Sequence, residues 1–144
     1  MIISLRQDDG TTERVSTGDL SALEAAAIEG VVGVPWRVVE DRLRAQDVTA
    51  MRAVLWVVRR RDDPALEFAT FDIPGWRHRL RARIERDEID EMLTNVMREA
   101  LAKSEDSTID ALQPHLRKLA DNPADVESAL DDLGKGHLVR RRTE

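Results

Sequence analysis

The sequence contains no cysteine among its 144 residues. A chain without thiols can form neither a disulfide framework nor a zinc site with thiolate ligands, which removes two common ways of stabilising or equipping a small domain. Tyrosine is absent as well, and aromatic residues make up only 3% of the chain. Because β-sheets favour aromatic and β-branched residues, this composition favours helix.

Long apolar runs are also missing. No stretch approaches the roughly 20 apolar residues that a bilayer-spanning helix requires. The first residues, Met1 to Leu5, have neither the basic start nor the long apolar segment of a secretory signal. We therefore expect a cytoplasmic protein without a membrane partner.

Charged residues, by contrast, are plentiful. They make up 35% of the chain, which indicates long solvated helix faces. Hydrophobic residues make up 42%, which is enough to form a core. The net charge is −6, and each half of the chain is acidic. Such a balance is not that of a polyelectrolyte that binds nucleic acid over its whole surface.

The first twenty residues predict a small β-hairpin. Residues 2–5 and 12–16 are short and compatible with strands, and the Asp9-Gly10 pair between them is typical of a tight hairpin turn. Two strands are not stable alone, so we expect the hairpin to pack against helices.

A first helix is predicted to begin at Asp19 or Ser21. Ser21 and Glu24 have capping-box spacing, so each can bond a backbone N–H of the first turn. Gly30 and Gly33 should bend or end the helix. The residues expected to face inward are Leu20, Leu23, Ala27 and Ile28.

Two further helices should follow. Pro35 is suited to the start of one from Trp36 to about Arg44, and Asp47 to the cap of another over residues 48–58. The latter is apolar on nearly every side and belongs in the middle of a core. The inward residues of the former are expected to be Val38, Val39 and Leu43.

The segment after this apolar helix should close the core. Arg59 to Arg61 suit the negative end of the helix dipole, and Asp62-Asp63-Pro64 breaks the helix and can start a short one at Ala65. The core-closing side chains are expected to be Phe68, Phe71 and Ile73. We place a boundary at Pro74-Gly75.

The second half of the chain is predicted to be helical. Trp76, Leu80 and Ile84 at intervals of four suggest one long helix over residues 76–103, with a polar break at residues 104–106. Another helix begins at Ser107 and should kink or restart at Pro114; its inward residues are Ile109, Leu112, Leu116 and Leu119.

A last helix should run from Asn122-Pro123 to Gly134, after which residues 135–144 form a basic, flexible tail. Its inward face is expected to consist of Val126, Ala129, Leu130 and Leu133. The fold class predicted is therefore mainly α, a small helical domain with a short N-terminal hairpin and a helical C-terminal extension.

Catalytic patterns are not found, so no catalytic, cofactor-binding or metal-binding residue is predicted and no cofactor is expected. His78, His115 and His137 lie on separate segments without ligand spacing, which indicates surface histidines. The acidic cluster at residues 87–91 does not fit a calcium loop and suggests a solvated helix face. No glycine-rich phosphate loop is present.

Two other groups of side chains leave alternatives open. Five arginines occur at Arg77, Arg79, Arg81, Arg83 and Arg86. They could contact phosphates, but ion pairs with the acidic residues that follow are favoured. Three methionines, Met51, Met92 and Met97, could line an adaptable groove, although burial in a core is the favoured interpretation.

Residues 19–74 resemble the tail assembly chaperones of long-tailed bacteriophages, notably those of actinobacteria. The resemblance rests on the early helix around Leu20 to Glu24 with Ile28-Glu29, and on the turn Gly33 to Trp36. It continues through the block Ala50 to Arg60, the turn Asp62 to Leu66 and the segment Phe68 to Ile73. It covers less than half of the chain, and its motifs are packing motifs.

The resemblance implies a function in assembly. Such chaperones coat the long tape measure protein before the tail tube polymerises around it, often in a short and a frameshifted longer form, and are generally left out of the virion. On this reading residues 1–74 are the chaperone-like core, 75–134 a helical extension and 135–144 the tail. The expected partner is a tape measure protein bound by several copies or weak oligomers; no contact residue can be assigned.

Two other functions remain open at this point. One is a structural virion protein of the tail or the head–tail connector, which would be found in purified particles. The other is a nucleic-acid-associated regulator that uses the stretch from Arg77 to Arg86, with binding that weakens steeply as salt rises. An enzyme is the least favoured class.

Overall fold

The computed structural model describes residues 1–103 and 107–142. The chain divides into two compact units, Met1–Arg83 and Ile84–Glu144. Residues 75–83, assigned to the helical extension on the pattern of the sequence, therefore belong to the first unit. The polar break expected at residues 104–106 lies outside the described residues.

The first unit contains a three-stranded antiparallel sheet. The strands are β1 (Ile2–Arg6), β2 (Thr12–Ser16) and β3 (Leu80–Arg83), in the order β2-β1-β3. The predicted hairpin is confirmed, with Ile3 opposite Val15 in its register. The third strand was not predicted; it places Ala82 opposite Ile3 on the other side of β1.

The prediction of one helix over residues 76–103 is wrong. A short helix, α4 (Trp76–Arg79), leads into β3, and α5 (Arg86–Lys103) starts after it. The interval of four that suggested a helix also keeps side chains on one face of a strand, because four is a multiple of two. Apolar and basic residues alternate from Leu80 to Ile84, which is a strand pattern, and residues 80–83 pair with the edge of β1 that β2 leaves free.

The first unit also contains three helices, α1 (Ala22–Val32), α2 (Trp36–Arg44) and α3 (Val48–Arg59); α2 and α3 contact the sheet, and α1 packs on these two helices. The predicted capping box is present: the Ser21 hydroxyl accepts the N–H of Glu24 at 3.1 Å, and the Glu24 carboxylate accepts the N–H of Ser21 at 2.8 Å. Gly33, with φ of 79°, ends α1, whereas Gly30 lies inside it. Asp47 caps α3 by accepting the N–H of Ala50 at 2.9 Å.

Helix α3 is the centre of the first unit. It contacts α1, α2 and all three strands, and its residues from Ala50 to Val57 are buried apart from Arg52. The fully buried side chains around it include Ile3, Ile28, Leu43 and Leu80. Met51 is among the buried residues, so the core interpretation of that methionine is confirmed.

Three expectations for this unit fail. Leu23 is 84% exposed and Val38 is also exposed, although both were expected to face inward. Each lies at the margin of the apolar face of its helix, so the buried stripe is narrower than the pattern suggests. No helix starts at Ala65; a 3₁₀ turn at Phe68–Thr70 follows instead, and Ile73 is buried there.

The outer edge of β3 is closed by a side chain. Gln46, between α2 and α3, has a φ of 61°. Its Oε1 accepts the N–H of Ala82 at 3.0 Å, and its Nε2 donates to the carbonyl oxygen of Ala82 at 2.9 Å. One carboxamide thereby replaces the peptide group of a neighbouring strand and protects this edge from further pairing.

The second unit consists of α5, α6 (Ser107–Leu119) and α7 (Ala124–Arg142), which contact one another pairwise. Its buried residues include Ile89, Leu93, Leu116, Val126 and Ala129. Ile84 forms a short parallel bridge with Ala120, in which its N–H donates to Leu119 at 2.8 Å.

Two helix boundaries in this unit differ from expectation. α7 continues through Gly134 to Arg142, so the predicted end at Gly134 and the flexible tail from residue 135 are wrong over the described backbone. A glycine costs a helix only about 1 kcal/mol, which neighbouring helix formers can offset. α6 continues through Pro114 without a restart. None of the described helices is both long and apolar enough to cross a bilayer.

Candidate functional site

An open groove of about 300 Å³ lies where the start of α1 meets the end of α3. Leu23, Ala27 and Val57 supply its apolar wall, and Leu23 is the most exposed large hydrophobic residue in the described chain. The polar wall consists of Glu24, Arg60 and Arg61. The arrangement offers a partner an apolar contact beside fixed charges.

An ion pair forms one side of this groove. Arg61 donates from Nε and Nη2 to the two carboxylate oxygens of Glu24 at 2.6 and 2.9 Å, a bidentate geometry. Hydrogen bonds from Arg61 and from the backbone of Ser21 lower the pKa of Glu24 from 4.5 to about 2. Glu24 therefore caps α1 and ties it to the end of α3 as a carboxylate.

The neighbouring arginines of α3 have different roles. Arg59 pairs with Glu13 of β2 at 2.6 Å, just as Arg61 pairs with Glu24. Arg60, between them, lies with its guanidinium carbon 4.9 Å from the ring centroid of Trp56 and donates only a long bond, 3.4 Å, to Pro64. Among the described residues no carboxylate neutralises it.

Arg52 repeats this stacked arrangement two helical turns earlier. Its guanidinium carbon lies 4.2 Å from the ring centroid of Phe68. Phe68 meets Trp56 edge to face at 5.5 Å, and Trp56 donates from Nε1 to the carbonyl of Leu66 at 3.0 Å. The Nε atoms of Arg52 and Arg60 are buried without a hydrogen-bond partner. Two stacked cations thus flank a ring pair on one stripe of α3.

The arginines from Arg77 to Arg86 do not share helix faces as the helical prediction implied. Arg79 donates to the carbonyls of Arg6 and Pro74 at 2.8 and 2.9 Å, and Arg81 donates to those of Arg77 and Leu80. These guanidinium groups bind backbone oxygens. A phosphate would have to compete with those contacts.

Arg86 belongs to the second unit and forms ion pairs. It contacts Asp90 of its own helix at 3.0 Å and Asp132 of α7 at 2.9 Å. The hydrogen bond to Asp90 is the main cause of its raised pKa. An acidic residue of the cluster at 87–91 therefore serves an ion pair, as the pattern predicted.

The other chemical side chains do not converge. His78 and His115 are exposed on separate elements, and the side chain of His137 lies outside those described. Among the described residues no group of histidine and acidic side chains could hold a metal ion. Met92 and Met97 are half-buried and do not line the groove.

The sequence pattern does not reveal the groove. It predicts that Leu23 is buried in the core. It predicts the same role for Arg59, Arg60 and Arg61, as positive charges that favour the end of a helix. Their separation into paired and stacked groups depends on Glu13, Glu24 and Trp56, which meet only in the folded unit. The repeat Arg52, Trp56, Arg60 at intervals of four is the one local sign of the stacked stripe.

Comparison with known proteins finds no matching family model, no similar curated protein and no similar solved structure.

Proposed function

We propose that the protein is a phage tail assembly chaperone that binds the tape measure protein in the host cytoplasm before the tail tube polymerises. The partner is suggested by the resemblance of residues 19–74. The observation that carries the binding role is Leu23, 84% exposed beside the apolar wall of the groove.

An exposed leucine alone needs no explanation, because folded surfaces are more than half apolar. Leu23 differs in its surroundings. It adjoins Ala27 and Val57, and the bidentate pair of Glu24 and Arg61 holds α1 against α3 beneath it. The apolar contact is therefore presented on a rigid base, which reduces the ordering cost of binding.

The size of the groove favours weak contacts in large numbers. A volume of about 300 Å³ is at the lower end for ligand sites and accommodates one or two partner side chains. Several copies along a long apolar partner would gain affinity through multivalency. That arrangement suits a tape measure, which is prone to aggregate until it is enclosed.

Coexpression with the neighbouring tape measure protein tests this function. We expect the wild-type chain to bring the tape measure into the soluble fraction and to elute with it as several copies per partner. Leu23→Glu should reduce the recovered complex sharply, because it places a charge on the apolar contact. It should leave folding intact, since a carboxylate in the first turn of α1 is favourable.

The matched control is Leu101→Glu, which introduces the same charge at another exposed leucine, 63% exposed on α5. It should leave the complex unchanged. Equal loss in both variants would point to nonspecific apolar association. A tape measure that stays insoluble beside free wild-type protein would contradict the chaperone function. Recovery of the chain from purified particles would then identify a virion component.

A further inference from the structure

The arginines of α3 and of the two residues after it fall into two groups, those that form ion pairs and those that do not. Arg59 forms an ion pair with Glu13, and Arg61 forms one with Glu24. Arg52 and Arg60 are stacked on rings, and no described carboxylate lies within ion-pair distance of either. Of these two, Arg60 lines the apolar groove, and Arg52 lies two helical turns before it.

The stacked stripe is ordered before any partner arrives. Arg52, Trp56 and Arg60 follow one another at intervals of four on α3, so they lie on one face at steps of about 6 Å along the axis. Stacking on Phe68 and Trp56 restricts both guanidinium groups. A planar guanidinium held in this way still has N–H donors for a carboxylate and loses little further entropy when it binds one.

The apolar wall adjoins one end of this stripe, because Arg60 lines the groove together with Leu23 and Val57. A ligand that covers both must present an apolar side chain and a carboxylate from the same face. In a helix, residues three or four apart satisfy that requirement. A second carboxylate two turns away would reach Arg52, which lies about 12 Å from Arg60 along the axis of α3.

We propose that the groove and the stripe together bind an acidic amphipathic helix of the partner. This inference rests on the proposed function and specifies the chemistry of the tape-measure segment bound. An apolar side chain packs on Leu23, Ala27 and Val57, one carboxylate pairs with Arg60, and a carboxylate two turns away pairs with Arg52.

Nucleic acid is the less suitable occupant of this surface. Phosphates could pair with Arg52 and Arg60, but nothing in a nucleic acid backbone would cover the apolar wall formed by Leu23, Ala27 and Val57. Both rings of the stripe already contact each other and carry an arginine on a face, so they offer no free platform for a base.

Designed peptides test the inference directly. The probe is an amphipathic peptide of about 18 residues, long enough to be helical, with leucines on one face and glutamates beside them. Two companions replace the glutamates with glutamine or lysine. Fluorescence anisotropy with the full chain should show the highest affinity for the acidic peptide, a lower affinity for the neutral peptide and the lowest for the basic peptide. Arg60→Gln and Arg52→Gln should each weaken the acidic peptide about fivefold and leave the neutral peptide unchanged.

The matched control is Arg37→Gln, which removes an exposed positive charge from α2. It should change no affinity by more than the error. Arg60→Glu should reverse the order of the affinities, so that the lysine peptide binds best. Such a reversal distinguishes a local ion pair from a general effect of net charge. Circular dichroism of each variant should match the wild type.

The outcomes separate this inference from the proposed function. Equal affinity for the three peptides, beside a solubilised tape measure, would overturn the inference and leave the chaperone function intact. A preference for the acidic peptide that depends on Arg60, beside an insoluble tape measure, would support the groove chemistry while the chaperone function fails. A single-stranded oligonucleotide that displaces the acidic peptide and loses affinity in Arg60→Gln would also overturn the inference.

Discussion

The two units of the chain are stabilised in different ways. In the first unit, side chains bond specific backbone groups: Gln46 bonds Ala82 and Trp56 bonds Leu66. In the second unit the helices bury aliphatic residues such as Leu93 and Leu116, and the described links between helices are ion pairs on partly exposed side chains. The first kind of contact is directional and shielded, whereas the second is screened by water and salt.

This difference explains where the candidate site lies. A groove of modest size gains affinity only when its walls are already in place, and the first unit supplies that order around α3. The helix supplies the groove residue Val57 and, at the preceding position, the ring of Trp56 on which Arg60 stacks. A change at the centre of α3 should therefore affect stability and binding together, while changes at the periphery should separate them.

Trp56→Ala is expected to have the largest effect on the first unit. It removes a buried ring, the hydrogen bond to Leu66 and the surfaces on which Phe68 and Arg60 lie. We expect a loss of about 3–5 kcal/mol in the free energy of unfolding, measured by denaturant titration. Binding of the acidic peptide should fall in the same variant, because Arg60 loses its stacking partner.

Trp56→Phe is the control for this prediction. It keeps a ring for stacking and loses the indole N–H. The free energy of unfolding should therefore fall less than in Trp56→Ala, and most of the peptide affinity should remain. Leu116→Ala makes a comparable cavity in the second unit and should destabilise by about 2–5 kcal/mol without changing the intrinsic affinity of the groove. If Trp56→Ala cost almost nothing, α3 would not be the core of the first unit.

A smaller loss is expected when the edge of β3 is opened. Gln46→Ala removes both hydrogen bonds to Ala82 and leaves a backbone N–H and carbonyl to be solvated, so we expect a loss of about 1–3 kcal/mol in the free energy of unfolding. Hydrogen exchange of the Ala82 amide should accelerate in this variant.

Gln46→Gly distinguishes the two possible effects of this residue. Glycine relieves the strain of a φ of 61° but makes neither bond. If the carboxamide bonds matter most, the glycine variant is still less stable than the wild type. A stabilised glycine variant would mean that backbone strain outweighs the closure of the strand edge.

Local chemistry made much of the first unit predictable. The Asp9-Gly10 turn, the capping box of Ser21 and Glu24, the cap at Asp47 and the apolar block of α3 are all decided by neighbours in sequence, and each is confirmed. β3 was not predictable in the same way. Its four residues pair with β1 across more than seventy positions, and the helical and strand periods coincide at the interval of four.

The candidate site was less predictable than the fold. Whether Leu23 is buried depends on how α1 packs against α3, and the separate roles of Arg59, Arg60 and Arg61 depend on partners far away in the chain. Leu23 is an apolar side chain that the local pattern places in the core and that the fold leaves exposed. For that reason the apolar stripe of α1 failed as a prediction where the groove lies.

The smallest expected effect concerns the ion pair of the groove. Glu24→Gln keeps the geometry of the capping box and removes the charge that Arg61 binds. The lowered pKa of Glu24 means that its charge stabilises the fold fully above pH 4.5, and that this contribution is lost as the pH falls towards about 2. The full shift corresponds to about 3 kcal/mol; Arg61 is 47% exposed, and solvent screening reduces this to about 1 kcal/mol.

Denaturant unfolding of the wild type and of Glu24→Gln at a series of pH values measures this contribution. The difference in free energy should be largest near neutral pH and shrink between pH 4.5 and about 2. Arg117→Gln, which removes an interhelical pair with Glu127 in the second unit, is the comparison. Its carboxylate, Glu127, is 64% exposed against 17% for Glu24, so its effect should be near zero and vanish with salt. A pH-independent deficit in Glu24→Gln would mean that Glu24 holds α1 to α3 by shape and hydrogen bonding alone, without a contribution from its charge.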